Sequence, residues 1–397
     1  MSQSLIDILR TPEARTFIQT HLSEDPVALV LQARRYPDLP IREIAAQIQS
    51  RKKAEKKLPE WFAQEGILFP HGVSMEQCSS EDTAKYKATL VSGKTVTDLT
   101  GGFGIDLYYL SQHFAEAHYI ERSEELVALV KYNYEQLGCD QVSFFNTTAE
   151  DYLAADQQPA DLYFIDPARR DESNQKVFEI GDCTPDLRLI IPILLQRKAE
   201  ILIKMSPMLD IRQALDALPH VEEVHVVSVR NECKELLFRI VPSHSGEAKR
   251  ITVNFATEGP MQFVFDASDE QEQPTFSEPL TYLYEPNASI MKAGGFNAVA
   301  RAFGVSKLQR NSHLYTSTEL VEDFPGRVFR IQAQTVVNKK KLKPFLPQGK
   351  ANIAARNYPM SVKEIRNKTG IKEGGEVYVF ATTLMDGRLA ALVCGKV

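Results

Sequence analysis

From residue 95 onward, short apolar segments alternate with amphipathic ones, and this alternation limits the fold more than any other feature of the chain. Such alternation predicts a mostly parallel β-sheet with helices on both faces. Only four residues, 230–233, separate the last two segments, which is too short for a helical crossover. These two strands should therefore form an antiparallel hairpin at the end of the sheet. The predicted strands are 95–100, 117–121, 142–146, 161–166, 200–205, 223–229 and 234–240.

The first predicted strand ends in Asp98 and is followed by a glycine-rich turn, Thr100–Gly104, and then by a predicted helix. Glycines allow a backbone to approach a ligand closely, and a helix start offers N–H donors. The G-x-G-x-x-G spacing of dinucleotide-binding proteins is not met, because Leu107 stands at the sixth position. Asp98, Gly102 and Gly104 match instead the D-x-x-x-G-x-G spacing that methyltransferases use for S-adenosylmethionine. The residues predicted to contact this cofactor here are Asp98, Thr100, Gly101, Gly102 and Gly104.

Acidic and hydroxyl side chains follow the next two predicted strands. Glu121 ends the second strand, 17 residues after Gly104, where a carboxylate can accept hydrogen bonds from two ribose hydroxyls. Such an acid supports nucleotide binding without separating the two cofactor classes, and a surface glutamate at a strand end is the alternative. After the third strand, Thr148 and Glu150 are the candidates for contacting the adenine edge, with Asp151 close behind. Capping of the following helix is an equally good interpretation of Thr148.

Two further segments extend the candidate site. The fourth strand ends in Asp166-Pro167-Ala168-Arg169-Arg170, at the position where methyltransferases of nucleic-acid amines often carry an acid or amide, two prolines and an aromatic residue. Asp-Pro is also an ordinary turn signal. Upstream, the segment 76–87 is similar to a helix entry that closes over the methionine end of the cofactor. Its Gln77 and Ser79 are therefore cofactor candidates, and Ser79 and Ser80 are predicted helix caps.

With these segments in register, residues 76–241 resemble a class I S-adenosylmethionine-dependent methyltransferase. The resemblance implies a Rossmann-like α/β sheet of seven strands whose sixth and seventh strands form the antiparallel hairpin. Taken whole, the chain resembles a bacterial methyltransferase family with a C-terminal THUMP-like domain, which implies RNA as the substrate class. The segments that carry this wider resemblance are 282–295, similar to a small ferredoxin-like insert, and 338–343, 354–359 and 372–378.

The sequence departs from known methyltransferases at two positions. Arg169 stands where an amine methyltransferase places a stacking aromatic residue, so Asp-Pro-Ala-Arg is closer to the Asp-Pro-Pro-Arg of uracil carbon methyltransferases. Those enzymes need a cysteine nucleophile after the fifth strand, but residues 204–208 contain none. Cys233 is interpreted as a packed thiol. We therefore expect direct methyl transfer with Asp166, Pro167 and Arg169 at the catalytic site, where Arg169 or Arg170 would hold a phosphate or base. Asp166 is also predicted to contact the cofactor.

The predicted domains differ in charge. They are an N-terminal helical domain (1–75), a methyltransferase domain (76–265), a ferredoxin-like segment (280–325) and a basic THUMP-like α+β domain (326–397). From residue 325 onward there are 14 Lys and Arg against 4 Asp and Glu, so this part carries +10 and the remainder −16. A segregated basic segment favours RNA binding over a merely solvated lysine-rich surface. The run 51–57 is interpreted as a solvated helix face, with contact to RNA phosphate as the alternative.

Composition excludes several classes of protein. Charges recur in the first 15 residues, so no signal peptide is predicted, and the longest central apolar run, 189–195, is too short to span a membrane. Five cysteines without C-x-x-C spacing argue against a zinc site or a disulfide framework and fit the reducing cytoplasm. Two alternatives to an RNA methyltransferase stay open. They are a non-catalytic RNA-binding protein that retains the fold, and a methyltransferase acting on a small molecule or a protein.

Overall fold

The computed structural model describes residues 1, 3–70, 72–155, 159–169, 181 and 183–397. The chain divides into two compact units, Met1–Val221 with Phe238–Ser245 and Glu222–Leu237 with Gly246–Val397. In the described residues no helix has both the length and the apolar character needed to cross a bilayer.

The first unit combines N-terminal helices with a parallel sheet. Its helices are α1 (Gln3–Leu9), α2 (Pro12–Thr20), α3 (Pro26–Leu31), α4 (Ile41–Lys57), α5 (Pro59–Ala63), α6 (Val73–Gln77), α7 (Glu81–Thr89), α8 (Ile105–Ser111), α9 (Glu124–Gln136), α10 (Ala149–Ala155), α11 (Leu187–Gln196) and α12 (Ile211–Ala217). Its strands are β1 (Gly93–Asp98), β2 (Phe114–Ile120), β3 (Val142–Phe145), β4 (Leu162–Ile165), β5 (Ala168–Arg169), β6 (Cys183–Thr184) and β7 (Glu200–Met205).

Local sequence signals begin several of these helices. Side-chain oxygens of Ser80, Ser123, Asp186 and Asp210 accept hydrogen bonds from backbone N–H groups in the first turns of α7, α9, α11 and α12. Serine and aspartate are preferred at this position because they satisfy N–H groups that have no partner inside the helix. The helix entries next to the sheet are therefore set by short-range chemistry.

The sheet of the first unit has the strand order β3-β2-β1-β4-β7. All neighbours in this set are parallel, with Asp98 opposite both Tyr119 and Phe164, and Ile165 opposite Ile203. Strand β4 is buried along its whole length, as expected for the centre of a sheet covered on both faces. This register brings the carboxyl ends of β1, β2, β4 and β7 to one edge of the sheet.

Strand β9 (Glu232–Ile240) is shared by the two units, and its last residues continue the first unit's sheet beside β7. In the second unit the beginning of β9 lies next to β8 (Val221–Val229). The two strands are joined by Arg230 and Asn231, whose φ values of 51° and 63° are those of a tight hairpin turn. The hairpin and the α/β sheet confirm the predicted Rossmann-like fold class.

The sheet is longer than predicted. Strand β10 (Lys249–Ala256) pairs with β8 in parallel, and β11 (Gly259–Phe265) pairs with β10 in antiparallel orientation. The hairpin is therefore not the end of the sheet as predicted, because two further strands follow β8 within the second unit. The connection between β8 and β9 is two residues instead of four, because β9 begins at Glu232, two residues before its predicted start.

The rest of the second unit is built on a seven-stranded sheet in the order β13-β14-β12-β15-β18-β17-β16. Its pairs are antiparallel except for β16 with β17. The strands are β12 (Tyr282–Pro286), β13 (Ser306–Lys307), β14 (Tyr315–Ser317), β15 (Gly326–Thr335), β16 (Asn352–Arg356), β17 (Val377–Thr383) and β18 (Leu389–Lys396). The helices are α13 (Ala267–Gln271), α14 (Ala288–Ala293), α15 (Phe296–Ala302), α16 (Lys339–Leu342) and α17 (Val362–Thr369).

Candidate active site

A cavity of about 320 Å³ lies at the carboxyl edge of the first unit's sheet. Loops at the carboxyl ends of parallel strands are where ligands bind in open α/β sheets. All residues predicted from the sequence to contact a cofactor line this cavity, although their roles stay predictions. They are Gln77, Ser79, Asp98, Thr100, Gly101, Gly102, Gly104, Glu121, Thr148, Glu150 and Asp166.

The turn between β1 and α8 is fixed by hydrogen bonds to its backbone. Two buried tyrosines donate to its carbonyl oxygens: Tyr119 Oη to Gly102 O and Tyr134 Oη to Gly104 O, both at 2.6 Å. Gly102 and Gly104 have φ values of 54° and 75°, which L side chains rarely adopt. At Gly101 the reason for glycine is space, because a Cβ there would lie 2.3 Å from a ring carbon of Tyr119.

Thr100 connects the ends of β1 and β4. Its backbone N–H and hydroxyl both donate to Asp98 Oδ1, at 2.9 Å and 3.3 Å. The same hydroxyl oxygen accepts the backbone N–H of Asp166 at 2.7 Å. Burial raises the pKa of Asp98 well above its ordinary value, and the hydrogen bonds from Thr100 only partly oppose that rise. Thr100 therefore couples the position of Asp166 to the carboxyl group at the end of β1.

Glu121 is held by the backbone on both sides of the cavity edge. Its Oε2 accepts the N–H of Gly102 at 3.0 Å, and its Oε1 accepts the N–H of Ser123 at 2.8 Å. Each carboxylate oxygen has a second lone pair, so the group can still accept hydroxyl donors from a ligand. The glycine turn and Glu121 thus form one rigid structure.

The residues after β3 have two kinds of role. Thr148 Oγ1 accepts the N–H of Asp151 at 3.1 Å at the start of α10 and donates to the Asp151 carboxylate at 2.9 Å. The capping interpretation of Thr148 is therefore confirmed, while its contact with an adenine edge stays a prediction. Glu150 is exposed in the first turn of α10 and lines the cavity.

The structure corrects the prediction for Ser79. Ser80 caps α7, as predicted, but Ser79 does not cap the helix. The hydroxyl of Ser79 instead donates to Asp106 Oδ2 at 2.7 Å, and Lys87 Nζ lies 3.2 Å from the Ser79 oxygen. Ser79 is thus fixed by Asp106, a buried acid that is not among the site residues predicted from the sequence.

Lys204, near the end of β7, forms an ion pair with Asp166 Oδ2. Lys204 is not among the site residues that were predicted from the sequence. A lysine near the end of the apolar strand EILIKM was the signal that could have identified it, because a charge in a buried strand requires a partner. Thr184 and Pro185, which also line the cavity, had no such signal.

The remaining predicted catalytic residues are less defined. Pro167 is half-buried and is not one of the described residues that line the cavity. Arg169 belongs to the short strand β5, but its side chain lies outside the described residues, as does all of Arg170. Cys233 lies in β9, and burial raises the pKa of its thiol to about 11, which disfavours the thiolate nucleophile and fits the packed-thiol interpretation.

The basic run in α4 is not simply a solvated face. Arg51 is buried and donates to the carbonyl oxygens of Ile67 and Phe62, both at 2.9 Å. Lys57 donates to the backbone carbonyls of Met75 and Glu76, at 3.1 Å and 2.6 Å. These side chains therefore hold the segments that lead to Gln77 and Ser79.

Comparison with known proteins supports this description. Residues 282–325 match a family described as a ferredoxin-like domain, and residues 326–396 match one described as THUMP domain-like. No curated protein matches the chain. The crystal structure of a Porphyromonas gingivalis W83 protein assigned as a methyltransferase is 32% identical, covers 96% of this chain and 97% of that one, and has a TM-score of 0.86.

Two other solved structures are much more distant. A Streptococcus mutans protein assigned as a methyltransferase, solved with SAH, is 12% identical, covers 40% of this chain and 97% of that one, and has a TM-score of 0.29. An rRNA methylase from Streptococcus thermophilus is 14% identical, covers 40% of this chain and 94% of that one, and has a TM-score of 0.30. At these values neither structure adds to the assignment.

Proposed function

We propose that this chain, which belongs to the bacterial family of class I S-adenosylmethionine-dependent methyltransferases with a C-terminal THUMP-like domain, methylates RNA by direct methyl transfer with Asp166 orienting the acceptor. The observation that carries the proposal is the convergence of the glycine turn, Glu121 and Asp166 on one cavity. The parts of the cofactor site and of the acceptor site are therefore adjacent.

The residues present fit the cofactor. The outer side of Gly102 is open, so a ligand can approach the turn's backbone, and Glu121 is positioned for ribose hydroxyls. Ile120 and Leu126 supply apolar cavity surface, and Thr148 and Glu150, which also line the cavity, would contact the adenine edge. Gln77 and Ser79 would hold the methionine end. When bound, S-adenosylmethionine supplies an electrophilic methyl group on a sulfonium.

The protein's part in the reaction is mainly positioning. Methyl transfer by in-line displacement requires an acceptor atom held at the correct distance and angle. The backbone of Asp166 is fixed by Thr100, so its carboxylate can accept a hydrogen bond from the acceptor and orient the acceptor's lone pair. Arg169 and Arg170 would contact a phosphate or base of the substrate. A covalent cysteine intermediate is not part of this mechanism.

The proposal of RNA as substrate is supported by a set of lysines in the second unit. Exposed Lys350 and Lys372 lie on two segments that form a parallel bridge, and Lys339 Nζ lies near Gly370, at the end of α17. We call Lys339, Lys350 and Lys372 the lysine edge. None of the three has an ion-pair partner among the described residues. Such an edge suits the RNA phosphate backbone, whose binding releases counterions.

The cofactor part of the proposal is tested by calorimetric titration with S-adenosylhomocysteine. Glu121→Gln removes a charged acceptor, and we expect binding about 10- to 100-fold weaker, since hydrogen bonds to charged groups contribute about 1.5–3 kcal/mol. Asp161→Asn is the matched control, because Asp161 also accepts two backbone N–H groups but lies at the opposite edge of the sheet. Absence of binding to the wild type, or equal effects of both variants, would refute the cofactor site.

The RNA part is tested by incubating the protein with labelled S-adenosylmethionine and total RNA from a strain that lacks the gene for this protein. The nucleosides are then analysed by mass spectrometry. We expect a methylated nucleoside with the wild type, and at least 100-fold less with Asp166→Ala at nearly unchanged S-adenosylhomocysteine affinity. RNA binding without donor binding would instead favour the non-catalytic alternative. Donor binding without RNA methylation would favour a small-molecule or protein substrate.

The lysine edge requires point substitutions instead of truncation. Deleting residues 325–397 would remove β15, which pairs with β12, and so disrupt the sheet. The triple variant Lys339→Gln, Lys350→Gln and Lys372→Gln should weaken RNA binding and reduce the salt dependence by about two to three counterions, at about 0.7–0.9 per phosphate contact. An unchanged salt slope would contradict this assignment.

A further inference from the structure

Four charged side chains form an alternating row beside the cavity, Lys87, Asp106, Lys204 and Asp166, and the two acids line it. Lys87 Nζ lies 3.1 Å from Asp106 Oδ1, and Lys204 Nζ lies 3.8 Å from Asp106 Oδ2 while it pairs with Asp166 Oδ2. Asp166 lines the cavity, whereas Lys204 does not. The cation is therefore one contact away from the space where a ligand would lie.

The contact between Lys204 and Asp166 follows from the register of the sheet. Ile165 is opposite Ile203 in the parallel pair of β4 and β7, so the residues that follow them, Asp166 and Lys204, emerge side by side. Lys204 is 9% exposed, whereas the side chain of Asp166 is only partly buried. If Lys204 left this position, the buried Asp106 would lose one of its two neighbouring cations, which disfavours such a movement.

The row also balances the buried charges. Burial opposes ionisation of Asp106, but the charges of Lys87 and Lys204 hold its pKa below the ordinary value. Asp98 forms no ion pair with any of the described residues, and burial raises its pKa well above the ordinary value. Two carboxylates of the row thus face two ammonium groups, and the four formal charges of the row sum to zero.

We propose that Lys204 is a specificity-determining and positioning residue, which compensates the charge of Asp166 so that the site accepts a neutral N–H or O–H acceptor and disfavours a protonated amine. This inference rests on the proposed function and narrows its substrate class. Asp166 Oδ2 pairs with Lys204, so a neutral N–H or O–H group of the substrate can donate to the other carboxylate oxygen. A protonated amine at the same place would be repelled by the Lys204 ammonium. Nucleobases and ribose offer neutral donors, while aliphatic amines are protonated at neutral pH.

The inference is tested with three ligands that differ in charge at the reacting position. S-adenosylhomocysteine is neutral there, S-adenosylmethionine carries a sulfonium, and sinefungin carries a protonated amine in place of the methyl sulfonium. Two unit charges about 10 Å apart at an effective dielectric constant of about 20 interact strongly enough to change binding by roughly tenfold. The affinity of each cationic ligand relative to S-adenosylhomocysteine therefore reports the charge near Asp166.

Calorimetry on the full chain should show a charge cycle. Lys204→Met is expected to strengthen the binding of S-adenosylmethionine and sinefungin by about tenfold relative to that of S-adenosylhomocysteine. Asp166→Asn is expected to weaken the binding of both by a similar factor. The double variant should return the ratio close to the wild-type value, and Lys204→Arg should keep it. Lys94→Met, at an exposed position at the amino end of β1, is the control and should leave the ratio unchanged.

A purely structural role of Lys204 predicts a different pattern. In that case Lys204→Met weakens all three ligands equally, and adding Asp166→Asn does not restore the ratio, which would overturn the inference. The double variant keeps the test decisive if the single variant is unstable, because it leaves no unpaired charge at the pair. If the wild type binds none of the ligands, the proposed function itself is wrong. If the wild type binds them but the variants do not show the expected change in the ratio, only the role proposed for Lys204 is wrong.

Discussion

Gly101 is the position where the structure makes its sharpest prediction about the cofactor turn. A Cβ at this residue would lie 2.3 Å and 2.6 Å from two ring carbons of Tyr119. That ring is fully buried, packs against Phe144 at 5.3 Å between centroids, and carries the hydroxyl that donates to Gly102 O. The ring therefore has no free space to retreat into, and Gly101→Ala must displace either the ring or the turn.

The expected magnitude follows from these contacts. Overpacking of a buried site costs about 1–3 kcal/mol, and loss of the Tyr119 hydrogen bond adds about 1 kcal/mol. We expect Gly101→Ala to lower the free energy of unfolding by about 2–4 kcal/mol. A Cβ at Gly102 or Gly138 would meet no such contact, but these residues have φ values of 54° and 66°. Gly102→Ala and Gly138→Ala should therefore each lower the free energy of unfolding by only about 1–2 kcal/mol.

The assay is urea denaturation followed by circular dichroism, combined with titration of S-adenosylhomocysteine. Gly101→Ala and Gly102→Ala should both weaken ligand binding, because both disturb the turn, whereas Gly138→Ala lies after α9 and should not. Adding Tyr119→Leu should recover part of the stability lost in Gly101→Ala, since it removes the ring that the methyl group meets. If Gly101→Ala is no less stable than Gly138→Ala, the steric argument is wrong.

Two further predictions concern groups outside the cavity. Asn133 is fully buried and pairs with both Leu68 N, at 3.0 Å, and Leu68 O, at 2.8 Å, so Asn133→Leu should lower the free energy of unfolding by about 2–4 kcal/mol in urea denaturation. His313 stacks on Phe296, and burial lowers its pKa to about 4. Because the unfolded chain takes up a proton near pH 6.5 and the folded chain does not, His313 stabilises the fold fully above pH 6.5 and loses this contribution as the pH falls toward 4, by at most about 1.4 kcal/mol per pH unit. Thermal melts across that range should show a shallower decline for His313→Leu, and an equal decline in both proteins would contradict the assignment.

The parts of the fold that could be predicted from sequence are those encoded by short-range patterns. Apolar runs that end in Asp98 and Asp166 mark the carboxyl ends of two buried strands, and the glycines after Asp98 mark a turn that needs positive φ. Each of these signals lies within about ten residues. The parallel sheet then follows from the crossover rule, which brings such strand ends to the same edge.

The ion pairs of the site could not be predicted in the same way. Lys87 lies in a nine-residue helix where lysine normally faces solvent, and its burial becomes visible only when α7 and α8 are in contact. Lys204 and Asp166 are neighbours because of the register between β4 and β7, and a shift of one residue would turn one of them to the opposite face. The register between two strands is a property of the folded sheet and could not be predicted from this one sequence.

The proposed cofactor and acceptor halves of the site are joined by backbone groups, and this bears on how the proposed reaction would work. The Thr100 hydroxyl bridges Asp98 and the N–H of Asp166, while Glu121 accepts the N–H of Gly102. Both links start from residues that closely follow the carboxyl ends of β1 and β2. A site held this way has its acceptor carboxylate positioned before any substrate arrives. Under our proposal, substrate choice then depends on how far Lys204 compensates the charge of Asp166. These two residues are neighbours because of the register between β4 and β7, although they lie far apart in the sequence.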